Sequence, residues 1–270
     1  MSPIPLQSEI IYGPVRTRRL GWSLGLNVCP IPYKLCSFNC VYCQYGWTEV
    51  RTTDMTGREG DLPTPDQFRR ELEAALKCSA EIDNITFSGN GEATLHPNFD
   101  ELVDIARESR DRHFPEANLG ILSNSSMVNV QKVRQALARL DFRIMKLDAG
   151  SADVFRRINL PDKSVLYSTI VEGLKTLERV TLQTLFVTGR IQNSGEAEVA
   201  DWIARVGEIS PIKAQIYSLH RPPADEFLEE VPEERLRQIA EQTEKATGAA
   251  VEVVVASQPY RRRYNEPFRK

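Results

Sequence analysis

Three of the chain's five cysteines fall within eight residues, Cys36-Ser37-Phe38-Asn39-Cys40-Val41-Tyr42-Cys43, at spacing C-x3-C-x2-C. A loop that tight aims three thiolates at one small object. A structural zinc site takes four closed ligands, and an ordinary iron–sulfur cluster usually takes four cysteines. Three thiolates on a cubane leave one iron open to a ligand that is not protein. Two other readings fit the same residues: a three-cysteine remnant without metal, and a zinc site completed by Cys29 or a distant histidine.

Such chemistry needs a scaffold that brings several polar strand ends to one rim, and the chain's periodicity predicts one. Residues 1–19, with Pro3, Pro5, Gly13 and Pro14, read as an irregular arm. Its Arg16, Arg18 and Arg19 are either solvated charges or contacts to an anionic substrate. Residues 20–28 alternate well enough for a first strand, and Cys29-Pro30-Ile31-Pro32 ends it. The cysteine loop follows at once, and then a polar loop over 44–63. Thr64-Pro65-Asp66-Gln67 predicts a capping box with proline at the first position of a helix reaching about Cys78. Cys78 reads as a small, half-buried residue of its last turn.

Strands expected at 84–88, 117–123, 142–147, 181–187, 212–219 and 251–255 then alternate with helices. The helices lie at 99–113, 130–140, 165–177, around Val199 and Trp202, and at 232–247, with a short extra helix capped by Ser151. Such alternation predicts a parallel sheet, with six strand–helix units before the last strand. The expected organisation is an N-terminal arm (1–19), one core (20–256) and a polar tail (257–270) carrying Arg261, Arg262 and Arg263.

The strand ends carry the second set of candidates. Gly89, Asn90, Gly91 and Glu92 form a turn where backbone can approach a ligand closely. Ser123, Asn124, Asp148, Thr188 and Tyr217 stand at or near later strand ends, on the rim where α/β folds place their ligands. Any of them could instead merely close a strand. His96 lies on the same rim and reads as a loop residue. Arg221, before Pro222 and Pro223, is either part of a stiffened loop or a contact to a substrate phosphate or carboxylate.

With 270 residues, 41% of them hydrophobic, the chain can bury a substantial core without disulfides. A formal net charge of −3 gives no global field toward nucleic acid. An odd cysteine count with three clustered is no disulfide framework. The start of the chain lacks a basic segment followed by an apolar run, so no signal peptide is read there. No apolar stretch approaches membrane-spanning length. A reduced, cytoplasmic setting is the expectation.

The cysteine spacing, with Tyr42 just before the third cysteine, resembles the signature of the radical S-adenosylmethionine superfamily. The Gly89–Glu92 turn resembles that family's GGE motif, with Asn90 in place of the middle glycine. Together with Gly13-Pro14-Val15, Arg18-Arg19-Leu20-Gly21 and Gln44-Tyr45-Gly46, these stretches are similar to a branch related to wyosine base-forming enzymes, over roughly residues 13–255. The resemblance implies a partial (β/α)6 TIM-like barrel and a 4Fe-4S cluster on Cys36, Cys40 and Cys43, which count as both metal ligands and catalytic residues. It implies that S-adenosylmethionine on the open iron is reductively cleaved to a 5′-deoxyadenosyl radical, which abstracts hydrogen from a substrate. Gly89–Glu92 would serve the methionyl amino group. Ser123, Asn124 and Asp148 are candidates for the ribose, Tyr42 and Tyr217 for the adenine, and Thr188 for a further cofactor contact. The implied partners are an external low-potential reductant of flavodoxin or ferredoxin type and a substrate that is a small molecule or RNA, with no membrane. Wyosine enzymes carry a second cluster and act on transfer RNA; here Cys29 and Cys78 are too few for that cluster, and the acidic balance disfavours tight RNA binding. The competing functions are an iron–sulfur sensor or electron carrier without catalysis, and a tRNA-modifying or RNA-binding protein.

Overall fold

The computed structural model describes residues 3–17 and 21–255. Arg18, Arg19, Leu20 and the tail with Arg261, Arg262 and Arg263 lie outside the described residues. Among the described residues there are twelve strands and seven α-helices. The strands are β1 (Ile11–Thr17), β2 (Gly21–Leu26), β3 (Leu35–Cys36), β4 (Val50–Arg51), β5 (Asn84–Phe87), β6 (Asn118–Ser123), β7 (Phe142–Lys146), β8 (Thr181–Leu185), β9 (Val187–Gly189), β10 (Lys213–Tyr217), β11 (Leu228–Glu230) and β12 (Val251–Val253). The helices are α1 (Pro65–Cys78), α2 (Phe99–His113), α3 (Gln131–Ala138), α4 (Ala152–Asn159), α5 (Tyr167–Lys175), α6 (Glu196–Ile209) and α7 (Glu233–Thr247).

One eight-stranded sheet runs β1-β2-β5-β6-β7-β8-β10-β12. From β2 to β12 every neighbour is parallel. Parallel strands need a crossover between them, and α1, α2, α3, α6 and α7 supply crossovers here. Among the described residues no ladder joins β12 back to β1 or β2, so this is the partial α/β barrel expected and not a closed one.

Local chemistry explains the elements. Thr64 Oγ1 accepts from Gln67 N at 3.2 Å and Pro65 stands at the first helical position, so α1 starts where expected. The reciprocal half of the capping box is absent, because Gln67 Nε2 donates to Glu71 instead. Phe68, Leu72 and Leu76, four residues apart, are the buried stripe of α1. The Phe68 ring stacks on Phe87 at 6.2 Å, and Phe87 meets Phe99 edge-on at 5.4 Å, which joins α1, β5 and α2. On the far side, the buried Trp202 of α6 meets Phe186 edge-on at 5.2 Å and donates Nε1–H to the Leu147 carbonyl at 3.0 Å.

Three expectations are corrected. The arm is not wholly irregular: Ile11–Thr17 is β1, antiparallel to β2, and its alternation was hidden by a register shift between Tyr12 and Val15 around Gly13 and Pro14. The loop over 44–63 contains β4, whose Val50 and Arg51 pair with Leu35 and Cys36. The strand expected to reach Val187 stops at Leu185, and β9 turns aside to pair with β11. Buried Asn193 drives that turn, since its amide accepts from Val187 N at 2.8 Å and donates to the Leu185 carbonyl at 2.9 Å. Among the described residues, no helix is long and apolar enough to cross a membrane.

Trp202→Ala removes a fully buried aromatic and one of the two side-chain donors of the Leu147 carbonyl, the other being the Thr184 hydroxyl at 2.7 Å. The expected loss is about 3–5 kcal/mol of unfolding free energy, measured by urea titration.

Candidate functional site

The cysteine loop is held from outside. Asn39 N donates to the Asn159 carbonyl at 3.0 Å and Val41 N to the Ile158 carbonyl at 3.0 Å, which hangs the loop on the last turn of α4. Phe38 and Val41 alternate with the cysteines and are buried, and Phe38 meets Phe155 of α4 edge-on at 5.3 Å. Asn39 Oδ1 accepts from Thr48 N at 2.7 Å, tying in the following loop. Cys36 is fixed by the short pairing of β3 with β4. So the residues between the cysteines anchor, and the cysteines are left for other work.

All three thiols are free; Cys36 is buried, while Cys40 and Cys43 are half-buried. Two side-chain amides point at sulfur: Asn124 Nδ2 lies 3.5 Å from Cys36 Sγ, and Asn159 Nδ2 lies 3.4 Å from Cys40 Sγ. Burial pushes the Cys36 thiol up to about 12, with Cys40 and Glu92 adding to it and Lys34 opposing. Cys40 is pushed up to about 11, first by burial and then by Asp148 and Cys43. Among the described residues no three His, Cys, Asp or Glu side chains already converge as a metal site. The donor set nonetheless fits an iron–sulfur cluster: three neighbouring thiols, with N–H groups directed at two of the sulfurs, the kind of donor that tunes clusters.

The glycine turn packs directly against this loop. A Cβ on Gly91 would stand 1.7 Å from the Leu35 carbonyl oxygen and 3.4 Å from Cys29 Sγ, so only glycine fits. Glu92 is 2% exposed and its carboxylate is fully prearranged. Oε1 accepts from Thr94 N at 3.0 Å, Thr94 Oγ1 at 2.6 Å and Ser123 Oγ at 2.9 Å, and Oε2 accepts from Asn124 N at 2.6 Å. Burial raises the Glu92 carboxyl against the opposing pull of those donors. Asn124 therefore bonds Glu92 through its backbone and Cys36 through its side chain.

Asn90 has another occupation. Its side chain accepts from Gln7 N at 2.7 Å and donates to the Gln7 carbonyl at 2.9 Å and the Pro30 carbonyl at 3.1 Å. It clips the N-terminal segment to the turn. That segment also meets the cysteine loop, through Ile4 N to the Gln44 carbonyl at 2.8 Å and Gln7 Nε2 to Tyr45 Oη at 3.2 Å.

Asp148 joins the remaining elements. Its buried carboxylate accepts from Leu185 N at 2.9 Å, Asn159 Nδ2 at 2.8 Å and the Tyr42 hydroxyl, and pairs with Lys146 Nζ at 2.9 Å. Both oxygens expected at a ribose are engaged within the protein. The Lys146 amine sits 4.7 Å from the Tyr42 ring centre and 5.1 Å from that of Tyr217, and donates to the Tyr217 hydroxyl at 3.2 Å. Thr188 stands apart, in β9 opposite Glu229.

The structure thus gathers Cys36, Cys40, Tyr42, Cys43, Gly91, Glu92, Ser123, Asn124, Asp148 and Tyr217, and leaves Thr188 out. Sequence reading missed Lys146 and Asn159. Lys146 lies two residues before Asp148, so strand alternation could have placed it on the same face. Asn159, at the end of an ordinary amphipathic helix, gives no local signal. Cys29 is buried beside the glycine turn, its thiol pushed well up by burial and then by Cys36 and Glu92. Cys78 is exposed at the end of α1 rather than half-buried.

The profile of the Radical SAM superfamily matches residues 31–203. The chain is 33% identical over 235 residues to a Brachyspira hyodysenteriae protein named GTPase Obg, covering 86% of this chain and 33% of that protein. It is 33% identical over 214 residues to a UPF0026 protein of Synechocystis, covering 78% and 76%. Streptococcus suis SuiB bound to precursor peptide SuiA aligns with a TM-score of 0.60 at 12% identity, over 86% of this chain and 49% of SuiB. SuiB has also been solved bound to S-adenosylmethionine. At that identity the likeness is one of fold alone. The chain spans a third of the length of the Brachyspira relative and about half of SuiB.

Gly91→Ala drives a methyl group into the Leu35 carbonyl; at least about 1–3 kcal/mol of destabilisation is expected by urea titration. A second expectation concerns His96, which is buried, accepts from Asn98 N at 3.1 Å and bonds the Pro63 carbonyl at 3.0 Å. It is a structural histidine, and burial lowers its basicity. The unfolded chain protonates near pH 6.5 while the folded one resists, so this contribution is complete above about pH 6.5 and is lost as pH falls below it. The difference in urea midpoint between wild type and His96→Gln is therefore expected to be larger at pH 7.5 than at pH 5.5.

Proposed function

The chain belongs to the Radical SAM superfamily and to the UPF0026 proteins, and from that premise we propose that it holds a 4Fe-4S cluster on Cys36, Cys40 and Cys43 and is a radical S-adenosylmethionine enzyme. Members of this superfamily are enzymes, and the family implies the cluster and S-adenosylmethionine. When bound, the pair supplies one-electron reductive cleavage of the sulfonium, giving methionine and the 5′-deoxyadenosyl radical. Everything else is the work of this chain's residues.

The observation that carries the reading is Asn124. One residue holds both Glu92 and Cys36, which supports a single cradle for the amino acid end of the cofactor and the cluster loop. In that cradle the Gly89–Glu92 turn receives the methionyl ammonium, and the Glu92 carboxylate, held by four donors, sets the turn's geometry in advance so that little ordering remains at binding. Ser123 and Asn124 serve the ribose. Tyr42 and Tyr217 offer ring faces to the adenine, held by Asp148 and Lys146. In this reading Asp148 is a positioning residue, fixing Tyr42 beside Cys43. Gly89 and Asn90 shape the turn, and Thr188 has no assigned contact.

The catalytic unit is the core first drawn over 20–256, extended back to include β1. The reductant is an external flavodoxin- or ferredoxin-type protein and the setting is cytoplasmic, since reduction requires the low end of a range spanning about −700 to +450 mV. The substrate is a small molecule or an RNA that donates a hydrogen atom. A sensor or electron carrier would have no use for the buried Glu92 cradle.

The test is anaerobic reconstitution with iron and sulfide, reduction, and measurement of 5′-deoxyadenosine, with cell metabolites and small RNAs offered as substrates. Alanine at Cys36, Cys40 or Cys43 is expected to lose bound iron. Glu92→Gln is expected to keep iron and lose at least tenfold in S-adenosylmethionine affinity. Iron-loaded wild type that neither binds S-adenosylmethionine nor yields 5′-deoxyadenosine would leave the carrier reading in its place.

A further inference from the structure

Lys34 is a lysine with 3% exposure, two residues before Cys36. Its backbone is fixed on both sides: the N–H donates to Glu49 Oε1 at 3.2 Å, and the carbonyl accepts from Val50 N at 3.1 Å. Its stem runs inward across the base of the cysteine loop, and Nζ donates to the Gly46 carbonyl at 2.6 Å. Gly46 lies three residues past Cys43, so one side chain spans the loop from its entry to its exit. Among the described residues that carbonyl is the one hydrogen-bond partner of the ammonium, and no carboxylate forms an ion pair with it. The nearby Glu49 carboxylate binds the backbone instead.

A buried ammonium is normally paired or multiply bonded, because leaving water uncompensated is costly. The groups in this loop able to carry the missing negative charge are the thiols. Three thiolates on a cluster would bring lasting negative charge to this place, and one-electron reduction would add another.

We propose that Lys34 is the built-in counter-charge of the thiolate-bound cluster, favouring its reduced state and so setting its potential. This rests on the reading that the chain holds the cluster. Lys34 acts through the cluster and touches no substrate; it is a positioning residue whose contribution is charge.

The experiment uses the reconstituted full chain, with iron and sulfide counted, and follows the cluster by EPR during a potentiometric titration without S-adenosylmethionine. The variants are Lys34→Met, Lys34→Gln, which can still donate to the Gly46 carbonyl, and Lys34→Arg, which keeps the charge. At the potential where half of the wild-type clusters are reduced, both neutral variants are expected to show at least a tenfold lower reduced-to-oxidised ratio, which is 59 mV for a one-electron couple. Lys34→Arg is expected to stay within threefold of wild type. A fully loaded neutral variant with the wild-type ratio overturns the proposal. If neither neutral variant loads, a loaded Lys34→Arg at the wild-type potential supports it, and an Arg variant that also stays empty overturns it in favour of a purely structural lysine. Wild type that takes up no cluster removes the premise instead, and iron analysis distinguishes that outcome.

Discussion

The site depends on one buried carboxylate. Asp148 leaves β7 between two sheet strands and the cysteine loop, and its four donors come from β7, β8, α4 and the loop itself. An unpaired carboxylate there would be costly, and a paired one is held hard by its surroundings. The cysteine loop has little secondary structure of its own beyond the two-residue β3. It acquires a shape because Tyr42 must reach Asp148 and because Asn39 and Val41 must reach α4.

The same economy governs the rest of the rim. Glu92 collects four donors, Asn90 serves three backbone groups, and Asn193 serves Val187, Leu185 and the Asp148 carbonyl. Each amide or carboxylate replaces the regular ladder where a strand ends and its backbone groups would otherwise be stranded. The apolar residues do the complementary job from behind, with Phe38 and Phe155 below the loop and Trp202 below the turn after β7. Polar closure on one side and aromatic packing on the other leave the thiols with few neighbours of their own.

Much of this was legible in the sequence where the signal is local. Cysteine spacing is read within eight residues, and the alternation of strands and helices from hydrophobic period alone; that alternation matches the structure. The start of α1 followed from Thr64 and Pro65. What escaped depends on distant pairing. Asn90 reads as a mild variant of a glycine, yet its partner Gln7 lies 83 positions away. Asn159 meets Cys40 across 119 positions, and nothing in its helix announces it. β1 escaped because proline and an irregular register broke its alternation. Thr188 was placed on the rim by assuming that a strand continues, whereas a single buried asparagine turned it away.

The clip between Gln7 and Asn90 carries a consequence for how such chains can diverge. The amide at position 90 uses both the N–H and the carbonyl of one residue in the leading segment, much as a neighbouring strand would. A descendant with glycine there would surrender its grip on that segment, and a descendant that lost the segment would strand an amide beneath the turn. The two places are bound to drift as a couple, so that an ancestral change at either end sets the terms on which the other can vary.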